Sequence, residues 1–105
     1  MSDGRLRAEL TSIGSASAKV ALSDASVEER LEAALLALAE HRSPGTTCPS
    51  DAARAVGGAE WRDLMDRTRE IARDLARRGA VEITQRGEVL DVDGPWRGPI
   101  RVRLA

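Results

Sequence analysis

From Trp61 to Leu75 apolar residues recur at steps of three and four, and beyond Gly79 the step changes to two. No single element carries both periods, so the chain must leave a long helix and enter strands near Gly79. Trp61, Leu64, Met65, Thr68, Ile71, Ala72 and Leu75 form one apolar face of a helix predicted over about 60–78. Val81 and Ile83 then alternate with Glu82 and Thr84, and the polar run Gln85-Arg86-Gly87-Glu88 leads into Val89, Leu90 and Val92. That pattern is a hairpin with a polar tip. Asp93-Gly94-Pro95 turns the chain, and Ile100, Val102 and Leu104 alternate with Arg101 and Arg103 as a half-buried returning strand.

Upstream, Ser26 and Glu29 make a capping box before Leu31, Ala34, Leu35, Leu38 and Ala39, which predicts a helix over about 27–41. Ser43-Pro44-Gly45 stops it, and Thr46-Thr47-Cys48 is a link or a short edge strand. Ser50 is a good N-cap for a brief helix through Val56, ended by Gly57-Gly58. Residues 1–23 mix small, polar and charged types around Gly4 and Gly14 and read as a flexible tail before a domain over 24–105. The expected fold is α+β and winged-helix-like, with three helices and a small antiparallel sheet made of a wing hairpin and the returning C-terminal strand.

The same segments resemble a family of short bacterial domains of unknown function with a winged-helix-like fold. The resemblance runs from Leu31 to Leu104. It rests on Ser50 to Arg54, Trp61 to Met65, Arg69, Ala72, Leu75, Gly79, Ile83-Thr84-Gln85 with Gly87, and Gly98-Pro99-Ile100-Arg101. It implies a fold and brings no activity, substrate or catalytic residue with it.

Composition narrows the function. The chain has 105 residues, no Phe or Tyr and two Trp, so a modest core must rest on Leu, Val, Ile and Ala. Arginine outnumbers lysine fifteen to one, which with the high alanine content reads as genomic base-composition bias. Sixteen basic and seventeen acidic residues leave a formal net charge of −1, without the basic excess a dedicated duplex binder carries. One cysteine rules out an internal disulfide and suits a reducing compartment. With no signal-like or membrane-spanning run, the expectation is a soluble, cytoplasmic protein without a membrane partner.

A winged helix commonly places its long helix in a DNA groove, which makes duplex DNA one expected partner. Arg62, Arg69 and Arg73 on one flank of the long helix, with Gln85 and Arg86 on the wing, are the nucleic-acid contact candidates. Arg97, Arg101 and Arg103 lie near the wing in sequence. Against this, Glu60, Asp63 and Asp66 occupy the helix's leading half, where they repel phosphate. Spacing also pairs Asp63 with Arg67, Glu70 with Arg73 and Asp74 with Arg78. The competing class is a non-catalytic protein-interaction module, with Trp96 as its contact candidate. Asp51, Arg54 and Arg101 are expected in a structural ion-pair network. One histidine and one cysteine cannot build a usual zinc site, and Cys48 lacks a nearby base, so neither enzyme chemistry nor a cofactor is expected. Oligomeric state stays open.

Overall fold

The computed structural model describes residues 2–105, so Met1 of the expected tail lies outside it. Helices α1 (Ser2–Ile13), α2 (Ala16–Ala21), α3 (Val27–Arg42) and α4 (Pro49–Gly57) lead into a 3₁₀ segment (Gly58–Leu64). Helix α5 (Met65–Arg77) follows, and then strands β1 (Val81–Gln85), β2 (Glu88–Val89) and β3 (Arg101–Leu104). The fold is α+β, and its sheet is antiparallel in the order β2-β1-β3.

The expected flexible tail is folded instead. Leu6 and Leu10, one turn apart on α1, are buried, as are Ala18 and Ala21 on α2. Each buried leucine contributes roughly 1.5–3 kcal/mol, enough to hold a short helix that would fray alone. Helix α1 packs on α3 and α4, and α2 packs on α3. Polar ties complete the attachment: Arg7 Nη1 donates to Ala55 O at 3.1 Å, and Arg30 Nε to Ala21 O at 3.0 Å.

Helix α3 starts where the capping box places it. Ser26 Oγ accepts from the Glu29 backbone N–H at 3.2 Å and donates to Glu29 Oε1 at 3.0 Å. Its core face is built from Leu31, Leu35 and Leu38 interleaved with Ala33, Ala34, Ala37 and Ala39, all buried. Small side chains allow helices to approach closely, and this compensates for the missing aromatics. Helix α4 begins one residue after Cys48, which is the N-cap in place of Ser50, with Pro49 at the first helical position.

The long third helix is broken in two. Residues 58–64 wind as 3₁₀, with Glu60 at φ −102° and ψ 21°, outside helical geometry, and regular α-helix starts only at Met65. Gly58 permits the tight turn, since its φ of 58° and ψ of −131° are open to glycine and strained for any other residue. Trp61 is half-buried, and Thr68, Ala72 and Leu75 carry the buried face of α5.

β1 pairs with β3 from Val81↔Leu104 to Thr84↔Arg101, burying Ile83 and Val102 against the helices. Thr47 bridges Val102 from the other side, exchanging both backbone hydrogen bonds at 2.8 and 2.7 Å. The order helix, bridge strand, helix, helix, strand, wing, strand is winged-helix-like. The wing hairpin is shorter than expected: beyond a two-residue turn Glu88 and Val89 pair with β1, and the Leu90 N–H adds one bond to Ile83 O at 2.8 Å. Both turn residues have positive φ, Arg86 at 54° and Gly87 at 83°, the combination that matches the twist of a tight hairpin.

Candidate functional site

Residues 90–100 form an irregular loop with few backbone partners of its own, and α5 supplies them. Arg73 Nη1 donates to Val92 O and, at 3.1 Å, to Gly94 O. Its guanidinium lies 4.0 Å from the Trp96 ring centroid. Arg69 reaches Trp96 O at 3.2 Å and Gly98 O at 3.4 Å, and Trp96 Nε1 donates to Asp91 O at 3.0 Å. From β1, Gln85 Nε2 donates to Arg97 O at 2.6 Å and Pro99 O at 3.0 Å. Three nucleic-acid contact candidates, Arg69, Arg73 and Gln85, are therefore tied to loop carbonyls and shape the wing. Trp96 is half-buried against the core with Arg73 on its ring.

The outer face of α5 is neutralised across helices. Arg67 pairs with Glu28 at 3.1 Å, and Arg78 pairs with Glu32, both acids on α3. Of the pairs expected from spacing, Glu70–Arg73 forms at 3.8 Å, while Arg77 takes Asp74 at 3.3 Å and Asp93 at 3.0 Å. Arg62 sits in the 3₁₀ segment, 4.5 Å from the Trp61 ring, which Arg54 also approaches at 4.3 Å. This half of the third helix presents Glu60, Asp63 and Asp66 to solvent.

The expected network of Asp51, Arg54 and Arg101 does not assemble. Arg54 is occupied by Trp61, while Arg101 donates to Thr46 Oγ1 at 2.8 Å and Thr46 O at 3.2 Å. Asp51 instead takes Arg42 Nη1 at 2.8 Å, the Thr47 hydroxyl at 3.0 Å and the Cys48 backbone N–H at 3.3 Å. Arg42 continues to both carboxylate oxygens of Glu9, at 2.9 and 3.2 Å, so α1, α3 and α4 share one clamp. Burial pushes the Asp51 carboxyl up, but the Arg42 guanidinium, the Cys48 N–H and the Thr47 hydroxyl outweigh it, and its pKa falls below the ordinary 3.8. Hydrogen bonding to Glu9 raises the Arg42 pKa against the opposing effect of burial, with Asp51 adding to the rise.

Two arginines left without a partner among the described residues, Arg86 and Arg97, stand at the wing. Gln85, Arg86, Arg97, Gly98, Pro99 and Arg101 line an open groove of about 400 Å³ with no carboxylate in its walls. Arg103, beside Arg101 on β3, is neutralised by Glu82 at 2.9 Å, whereas the partners of Arg101 are neutral oxygens. Arg97, whose carbonyl Gln85 holds, also lines this groove, and its side chain makes no hydrogen bond or ion pair among the described residues. Proximity to the wing in sequence was the sole sign of it.

Fold and groove together define a winged-helix-like domain with an arginine-lined groove at its wing. Residues 28–105 match the family described as "Protein of unknown function (DUF3253)", and the chain belongs to that family. No curated protein matches the chain. Helices α1 and α2 precede the matched span. Among the described residues, no helix is long and apolar enough to cross a membrane, and no group of three His, Cys, Asp or Glu is placed to hold a metal ion.

Proposed function

We propose that this chain is a non-catalytic domain that binds duplex DNA through the phosphates, using its wing rather than its third helix. The observation that carries this reading is the groove: Arg86, Arg97 and Arg101 line it without a carboxylate, while the other arginines except Arg5 are engaged by carboxylates, backbone carbonyls or Trp61 among the described residues. Phosphate neutralisation by arginine supplies sequence-independent affinity, while base discrimination needs side chains delivered into a groove. The acidic, 3₁₀-wound leading half of the third helix does not suit that delivery. Binding is accordingly weak and tolerant of sequence.

A second reading, a protein-interaction module, is favoured by the ion-paired face of α5 and by a cleft between α2 and α3 lined by Val20, Ala33 and Leu36 together with Glu29 and Glu32. Fluorescence anisotropy of the full chain against a labelled mixed-sequence duplex decides between them. The duplex reading requires a dissociation constant of about 1–100 µM that weakens steeply as salt rises. No binding at low salt removes it and leaves the interaction module.

A further inference from the structure

The fifteen arginines fall into distinct groups. Arg42, Arg67, Arg73, Arg77, Arg78 and Arg103 face carboxylates. Arg7, Arg30, Arg69 and Arg101 donate to backbone carbonyls, and Arg54 and Arg62 lie on Trp61. Among the described residues that leaves Arg5, Arg86 and Arg97 without a hydrogen-bonding, ionic or ring partner, and two of the three line the same groove. Arg101, the third guanidinium there, is fixed through Nε and Nη2 by Thr46, and its Nη1 makes no hydrogen bond among the described residues.

We infer that this groove is a preformed site for one tetrahedral phosphate group, taken between Arg97 and Arg101 and closed over by Arg86 from the hairpin turn. The inference rests on the proposed phosphate-directed reading and localises it. Three guanidiniums repel one another across a shared groove, and an oxyanion relieves that repulsion. The planar guanidinium fork matches two phosphate oxygens at once, which an ammonium does not. The walls are set before any ligand arrives. Gln85 pins the carbonyls of Arg97 and Pro99, and Arg69 reaches Gly98 O from α5. Arg101 is held from the helical side by Thr46, so its side chain is ordered in advance, and binding has to order only those of Arg86 and Arg97. The phosphate can belong to a duplex backbone or to a small free phosphate, and the two sources are separable by experiment.

Two measurements on the full chain test the site. In the first, duplex binding is compared for the wild type, the double variant Arg97→Gln/Arg101→Gln, and Arg5→Gln as a remote loss of positive charge. The double variant should bind about tenfold more weakly, and its log–log salt slope should fall by about one. Arg5→Gln should stay within about twofold of the wild type. A double variant that binds as the wild type does overturns the site as a contact to duplex and leaves the duplex reading standing. In the second, arginine Nε–H resonances are followed during titration with inorganic phosphate. Saturating shifts at Arg97 and Arg101, lost in the double variant, support the site whether or not duplex binds. If phosphate shifts them and duplex does not bind, the site holds for a free phosphate and the duplex reading falls. Unmoved arginine resonances overturn the site, with unchanged circular dichroism certifying that each variant is folded.

Discussion

The helical side and the wing side are both tied together by arginine, but to different acceptors. On the helical side Arg42 joins the carboxylates of Glu9 and Asp51, charge meeting charge across three helices. On the wing side Arg69 and Arg73 fasten backbone carbonyls of a loop that has almost no regular structure. The helical tie reinforces elements that already bury Leu6, Leu10, Leu31 and Leu35. The wing tie has less such support: Ile100 is buried where the loop ends, but before it the loop's apolar anchors, Leu90 and Trp96, are only partly buried. A clamp on a packed layer is therefore supplementary, and a clamp on a loop determines its shape.

The strongest perturbation of this contrast is Leu10→Ala, which should cost about 3 kcal/mol by leaving a cavity between α1 and the helices it covers. Urea denaturation reads it directly, and a loss below about 0.5 kcal/mol would mean that α1 is not packed as described. Next comes Arg73→Ala, at about 2 kcal/mol, from lost carbonyl hydrogen bonds and the stacked ring. Here the telling signal is Trp96: its emission should shift to the red, and Arg73→Lys should not restore it, because an ammonium cannot reproduce the planar stacked fork. An unshifted spectrum with Trp61 replaced by Leu in the background would separate the loop's shape from Arg73.

Arg42→Gln should be milder, about 1 kcal/mol by chemical denaturation, because its guanidinium is partly exposed and the helices keep their apolar contacts. A loss as large as that of Arg73→Ala would erase the distinction between the two ties. The acceptors also predict different responses to acid. The Asp51 pKa is lowered by folding, so its contribution is fully present above its unfolded value near 3.8 and is lost as pH falls through the lower folded value. Stability below about pH 4 should thus depend less on pH in Asp51→Asn than in the wild type, whereas Arg73→Ala should keep the wild-type acid profile. Parallel acid profiles for Asp51→Asn and wild type would break that assignment. The smallest effect belongs to Glu28→Gln at the exposed Arg67 pair, below about 0.5 kcal/mol and vanishing in high salt.

How much of this could be read from the sequence follows from the same physics. Helix α3, the switch at Gly79 and the returning strand were legible because leucine, valine and isoleucine mark their period. Helices α1 and α2 were not, because Leu6 and Leu10 are isolated among polar residues and the stripe is completed by Ala18 and Ala21. Alanine packs well between close helices yet scarcely registers as hydrophobic periodicity. The 3₁₀ winding of residues 58–64 was hidden for the opposite reason: Trp61 and Leu64 keep a helical spacing that the backbone leaves at Glu60. Side-chain pairing was the least legible. Spacing along one helix suggests Asp63 for Arg67, but only the packing of α5 against α3 brings up Glu28. Arg69, Arg73 and Gln85 bond carbonyls, and a carbonyl looks the same at every position of a sequence.

The place of β3 bears on the order in which the molecule assembles. It lies between β1 and the Thr47 bridge, and Arg101 at its start meets Thr46, 55 positions away along the chain. Closing so long a loop is entropically slow, whereas α3 and α4 form from near neighbours. The groove that needs Arg101 is therefore completed late in folding. It should also open first under native conditions, in a partial unfolding that leaves α3 intact. Native-state hydrogen exchange reports this: the amide of Val102 should exchange with a lower opening free energy than those of Leu35 and Leu38, and equal values would mean that sheet and helices come apart together.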